Sequence, residues 1–161
     1  MPRVFVSIGS NVDREENIRG AVESLTRRFG PLNLSTVYET KSVGFEGEDF
    51  FNLVVGFDSS ESIEAIRTEL HRIEDMHGRK REGVSRFSAR TLDLDLILYG
   101  DVVDPAANLP HPDILRYAFV LGPLAELAPN LAHPVKGVPY HTLWQQTFAD
   151  GGGLRRQSFR F

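Results

Sequence analysis

Asp93 and Asp95 stand two positions apart, directly after a run that holds Arg79, Lys80, Arg81, Arg86 and Arg90. Leu92, Leu94, Leu96 and Leu98 alternate with them, so a strand here carries leucines on one face and both acids on the other. Two residues of strand rise set the acidic α-carbons about 6.5 Å apart, and two converging negative charges cost energy unless a cation answers them. Oxygen donors with no cysteine or paired histidine alongside suit a hard ion, magnesium before zinc, with water and phosphate completing its shell. The neighbouring guanidinium groups bind phosphate oxygens in bidentate fashion. Acid pair and arginine cluster together read as a site for a magnesium polyphosphate. The same residues also suit a solvated strand face whose acids pair with the arginines, and spacing alone leaves both readings open.

The elements that must position this stretch follow from periodicity. Val4, Val6 and Ile8 alternate in a first strand that stops at Gly9-Ser10-Asn11. Asp13 and Glu16 have capping-box spacing before a helix marked by Ile18, Ala21, Val22, Leu25 and Phe29 and ended by Gly30-Pro31. Residues 32–38 read as a second strand, 39–49 as a loop, and 50–58 as a third strand with Phe50, Asn52 and Val54 on one face. Ser59 and Ser60 are candidate caps for a second helix carrying Ile63, Ile66, Leu70 and Ile73, and Gly78 ends it. The order strand, helix, strand, strand, helix, strand indicates an α+β fold with a ferredoxin-like antiparallel sheet and both helices on one face. Short helices at 113–118 and 123–127 are available to cover the other face or close an edge. We expect a single domain over residues 1–161, with a flexible tail from about 150 after the glycines at 151–153.

Composition narrows the function classes. The chain has 161 residues, enough for one ordinary domain, and a net charge of -4, which argues against coating nucleic acid or anionic membrane. Residues 43–51 faintly echo an RNA-binding strand motif but lack its leading basic residue and carry three acids. Without cysteine there are no disulfides, thiolate metal sites or cysteine nucleophiles. That composition fits the cytoplasm, and the absence of a long apolar run predicts no membrane span. His71 and His77 are six apart, not on one helical face, so they do not form a zinc pair. Asn52, an amide among strand apolar residues, must find hydrogen-bond partners.

These motifs carry a resemblance. Arg90-Thr-Leu-Asp-Leu-Asp-Leu, with Gly78-Arg79-Lys-Arg81 before it and Leu109-Pro-His111-Pro-Asp113 and Phe119-Val-Leu-Gly-Pro-Leu-Ala-Glu-Leu-Ala-Pro129 after it, is similar to the 6-hydroxymethyl-7,8-dihydropterin pyrophosphokinases of folate biosynthesis. The likeness begins at Ile8-Gly9-Ser10-Asn11 and runs to about His133. It implies a three-layer α-β-α arrangement with helices on both faces of the sheet, and transfer of the β,γ-pyrophosphate of ATP to the hydroxymethyl oxygen of the dihydropterin, giving AMP. It also implies two magnesium ions held by Asp93 and Asp95, with ATP as co-substrate. The catalytic set is Arg79, Arg81, Arg90, Asp93 and Asp95. ATP would meet His71, Glu74, Arg79, Arg81, Arg90, Leu96, His111 and Arg116. The pterin would meet Thr40 and Val43 through the loop backbone, Phe50 and Phe119 by stacking, Asn52, and the two aspartates. The enzyme is expected to be a cytoplasmic monomer with no nucleic-acid or membrane partner.

The chain departs from the usual pattern at Lys41, Phe87, Ser88-Ala89 and Tyr117, the last standing where an arginine normally meets phosphate, with Arg116 one position earlier. A paralogue acting on another pterin, or a noncatalytic nucleotide-binding module, is the competing reading.

Overall fold

A computed structural model describes residues 1–41, 49–78 and 92–161. The first strand, β1, spans Arg3–Ser10 and is buried from Val4 onward. It leads into α1, Arg14–Phe29, whose buried stripe is Asn17, Ile18, Ala21, Val22 and Leu25. Asp13 sits at the N-cap in the left-handed region (φ 43°) and makes no side-chain cap, so the capping box implied by Asp13 and Glu16 does not form. Asn17 takes up the turn instead, donating Nδ2 to the Val12 carbonyl at 2.7 Å. Gly30, at φ 85°, terminates the helix.

The strand expected at 32–38 is two pieces, β2 (Asn33–Leu34) and β3 (Val37–Thr40). Ser35 breaks it. Its backbone N–H donates to the Val54 carbonyl, and its Oγ accepts the Val54 N–H at 2.9 Å, so a hydroxyl replaces a ladder carbonyl. β4 is Phe50–Asp58, as its alternation predicts, and α2 is Ile63–Met76. Ser62, not Ser59 or Ser60, caps α2, accepting the Ala65 N–H at 3.1 Å. Ser59 Oγ instead accepts the N–H of Glu61 in the preceding turn. Gly78 follows α2 at φ 79°.

β5 is Asp93–Tyr99. The sheet order is β5-β1-β4-β3-β6, with β2 also on β4 and every ladder antiparallel. This is the ferredoxin-like order expected. β6, Arg155–Gln157, adds to β3 at the edge, beyond the glycines where a flexible tail was anticipated.

Two cores flank the sheet. Val4, Val6, Ile8, Leu53, Val55, Leu92, Leu94 and Leu96 pack with the apolar stripes of α1 and α2. On the other face Phe5, Val54, Ile97 and Leu98 pack with α3 (Asp113–Arg116), α4 (Ala118–Leu127) and α5 (Tyr140–Thr147). The molecule is therefore three-layered. Leu98 does not share a face with Leu92, Leu94 and Leu96: the β1–β5 register shifts between Phe5 and Val6, and the extra residue in β5 turns the alternation over. α4 starts at Ala118 rather than at Pro123, which lies inside the helix at the cost of the bond its missing N–H would make to Phe119. α5 anchors through Leu143, with Trp144 packed beside it. Among the described residues no helix is long and apolar enough to cross a membrane.

Candidate active site

The site gathers where β1 leaves the sheet and β4 and β5 enter it. Gly9 pairs with Asp93 on one side and Asn52 on the other, and Asn52 pairs with Tyr38, giving one row across four strands. Ser7 stands between Asp95 and Val54 in the next row, and Thr40 pairs with Phe50 at the end. Strand alternation then places Asp93, Asp95, Asn52, Phe50 and Thr40 on the face that α3 and α4 share. Both aspartates are half-buried, as are Thr40 and Phe50. At one inter-strand spacing per step, the Asp93 and Asn52 backbones lie about 10 Å apart.

Gly9 makes this row possible. A Cβ built there would lie 2.8 Å from Asn52 Oδ1, well inside van der Waals contact, so only glycine lets the amide lie over the central strand. Asn52 is 4% exposed and donates Nδ2 to Thr40 Oγ1 at 2.9 Å, which fixes the orientation of its amide. The sequence flags Asn52 as a buried amide; Gly9 reads there only as the end of a strand.

The layer above supplies His111 and Phe119. His111 is tied to β5 by its N–H on the Ile97 carbonyl at 3.0 Å. Its Nδ1 accepts the Asp113 N–H at 3.1 Å, so the neutral ring carries its proton on Nε2. Phe119 stacks on Tyr117 with ring centroids 4.9 Å apart and planes 20° from parallel. Tyr117 is thus an aromatic partner of Phe119, and Arg116 is exposed at the end of α3.

Other expected residues lie apart. Leu96, 3% exposed, packs beneath α1 and α2, on the opposite face from Asp95. Glu74 is buried on α2 and its Oε2 accepts the Leu94 N–H at 2.8 Å, bracing β5 between the two aspartates. His71 is exposed one turn earlier. His77 packs into a notch at Gly20, with Nδ1 2.7 Å from Asn17 Oδ1, and burial pushes its imidazole below the usual histidine range. Val43, Arg79, Arg81 and Arg90 lie outside the described residues, as do Lys80, Arg86, Phe87 and Ser88-Ala89.

Chemically, the face offers an amide able to donate and accept, an aromatic ring beside it, and two carboxylates across a gap in side chains. Among the described residues no group of three or more histidine, aspartate or glutamate side chains could enclose a metal. Two carboxylates alone still fit a hard divalent ion whose other positions belong to water and phosphate.

The family model for 7,8-dihydro-6-hydroxymethylpterin-pyrophosphokinase matches residues 5–129. The chain belongs to this family. A pyrophosphokinase of the family from Porphyromonas gingivalis is 37% identical over 152 residues, covering 86% of this chain and 99% of the relative. One from Aquifex aeolicus is 34% identical over 143 residues, covering 86% and 88%. The folic acid synthesis protein fol1 of Pneumocystis carinii is 34% identical over 140 residues, but this chain spans only 19% of its length. Among solved structures, a Plasmodium falciparum HPPK-DHPS triple mutant with pteroate superposes with a TM-score of 0.72 at 12% identity, covering 96% of this chain and 46% of that one. At that identity the likeness speaks for the pyrophosphokinase fold alone.

Proposed function

We propose that the face carrying Asp93, Asp95 and Asn52 is where this family member carries out its reaction, the transfer of pyrophosphate from ATP to hydroxymethyldihydropterin in folate biosynthesis. The observation that carries the assignment is the row Asp93–Gly9–Asn52, which sets a carboxylate and a buried, oriented amide on either side of a strand position without a side chain. In this reading Asn52 meets the polar edge of the pterin, with Thr40 fixing its amide and Phe50 and Phe119 offering ring faces. On the family resemblance, the backbone at Thr40 and Val43 would complete the acceptor site.

The hydroxymethyl oxygen attacks the β-phosphorus of ATP, the bond from that phosphorus to the α-β bridging oxygen breaks, and AMP leaves. Asp93 and Asp95 would hold magnesium, two ions on the family pattern, which when bound neutralises phosphate charge and aligns the reacting groups. Arg79, Arg81 and Arg90 would bind the phosphates and stabilise developing charge. His111, protonated on Nε2, is suited to donate to a phosphate oxygen, and Arg116 and His71 would add contacts to the nucleotide. Glu74 and Leu96 serve ATP indirectly, through the placement of β5. We take the enzyme to be one domain, monomeric and cytoplasmic, with no nucleic-acid or membrane partner.

The test is AMP release from magnesium-ATP with and without 6-hydroxymethyl-7,8-dihydropterin, with Asp95→Ala as the control. Pterin-dependent AMP that disappears in the variant and on chelation supports the site. Wild-type turnover in a folded Asp95→Ala protein would remove the metal assignment.

A further inference from the structure

The edge strand β6 pairs with β3, which together with β4 carries the acceptor site. Glu39 pairs with Phe51 on β4 and with Arg155 on β6, so these three form a row on the α1 face, opposite the face of Thr40, Phe50 and Asn52. Arg155 Nη2 lies 3.1 Å from Glu39 Oε1 and 2.6 Å from Asp49 Oδ2. From the start of α1, Arg14 Nη1 lies 2.8 Å from Glu39 Oε2 and donates to the Asp49 carbonyl at 2.8 Å. Its guanidinium stands 3.9 Å over the Phe51 ring. Two arginines from distant parts of the chain therefore hold the same two residues, Arg155 through both carboxylates and Arg14 through the Glu39 carboxylate and the Asp49 carbonyl.

The position of those acids gives the grip its meaning. Glu39 immediately precedes Thr40, and Asp49 immediately precedes Phe50, the pair that ends the β3–β4 ladder. Without side chains tying them, the last pair of a two-strand ladder frays first, because nothing beyond it holds the backbones in register. The tail is itself held down. Phe159 packs edge-on against Phe51 at 6.0 Å, and Arg19 donates Nε to the Arg160 carbonyl at 2.6 Å. The carboxy-terminal segment thus belongs to the same assembly as α1 and the β3–β4 ends.

We propose that Arg155 and Arg14 are positioning residues for the acceptor: acting through Glu39 and Asp49, they hold Thr40, Phe50 and Asn52 in the register that binds the pterin. The inference rests on the placement of the acceptor at these residues. Because the acceptor is uncharged while the clamp is ionic, salt weakens acceptor binding through the clamp and not through the ligand.

Steady-state kinetics and calorimetry on the 161-residue chain test this with Arg155→Ala, Arg155→Glu, Arg155→Lys and Asn52→Ala. Arg155→Ala is expected to raise KM and Kd for the pterin about 3- to 5-fold, the scale of a partly exposed ion pair, with kcat and KM for ATP unchanged. Arg155→Glu, which places a third acid beside Glu39 and Asp49, raises them further, and Arg155→Lys restores part of the loss. Wild type is expected to show a rise in pterin KM between low and high salt, and that rise shrinks in Arg155→Ala, which keeps only the Arg14–Glu39 pair. Unchanged pterin KM in a folded Arg155→Glu protein, with Asn52→Ala impaired, overturns the clamp alone. Unchanged pterin binding in Asn52→Ala overturns the acceptor placement, and the clamp with it.

Discussion

Glu74 Oε2 accepts the backbone N–H of Leu94 at 2.8 Å, joining a buried carboxylate on α2 to the residue between Asp93 and Asp95. Among the described residues β5 is an edge strand, paired with β1 alone. On its outer side the Leu94 N–H is met by Glu74, 2% exposed, from the helix layer. A carboxylate that bonds a backbone N–H makes one of the stronger neutral-to-charged hydrogen bonds.

Removing that acceptor leaves the Leu94 N–H buried without it. Glu74→Ala is therefore expected to cost about 2 kcal/mol of stability, and Glu74→Gln, which keeps an acceptor oxygen, less. Urea unfolding of the three proteins measures the loss. Equal stability of Glu74→Ala and wild type would show that the bond holds nothing in place.

Gly9 supplies a second prediction. Gly9→Ala puts a methyl group 2.8 Å from Asn52 Oδ1, and the amide must swing away from Thr40 to accommodate it. Overpacking of this size costs on the order of 1–3 kcal/mol. The strand can retain its fold while the acceptor site loses its shape, so pterin Kd rises about 10-fold or more with ATP affinity kept, as paired titrations would show. Equal weakening of both ligands would mean that the whole sheet end had moved.

Much of this arrangement is legible in the sequence, for reasons that individual residues make plain. The alternation through Leu92–Leu96 and Phe50–Phe57 follows burial on a sheet covered on both sides, which is why β4 matches residue for residue. The acid pair was visible because strand geometry puts positions 93 and 95 on one face. What escaped was set by contacts across the sequence. Ser35 breaks a strand by bonding Val54, the β5 bulge depends on pairing with β1, and β6 depends on acids more than a hundred positions away. Tyr117 looked like a lost phosphate ligand; its stacking on Phe119 becomes visible only when α3 and α4 are built.

Tyr140 is 0% exposed, and its hydroxyl has no hydrogen-bond partner among the described residues. Burial accordingly pushes its phenol above the usual tyrosine range. Tyr140→Phe removes a polar atom while keeping the ring that packs with Ile114 and Leu143. The variant should match or exceed wild-type stability by up to about 1 kcal/mol, read as an equal or higher Tm. A fall of Tm by several degrees would show that the hydroxyl is hydrogen-bonded in solution.

His133 predicts how stability changes with pH. It is 4% exposed, and its Nδ1 accepts the N–H groups of Val135 and Lys136, each at 3.1 Å. Burial first, and the Lys136 charge second, hold its imidazole below the usual histidine range. Protonation at Nδ1 would forfeit both bonds. In the unfolded chain the same ring takes up a proton near pH 6.5, so below that value the unfolded state binds more protons than the folded one. Stability is then fully present above pH 6.5 and falls as pH drops toward the depressed folded value. His77, also depressed by burial, adds in the same direction. His133→Asn keeps an acceptor for the turn N–H groups without titrating, because asparagine caps such turns with its side-chain oxygen. Urea midpoints for wild type should fall between pH 7.5 and 5.5, and those of the variant should fall less. Parallel pH profiles for the two proteins would place the titrating group elsewhere.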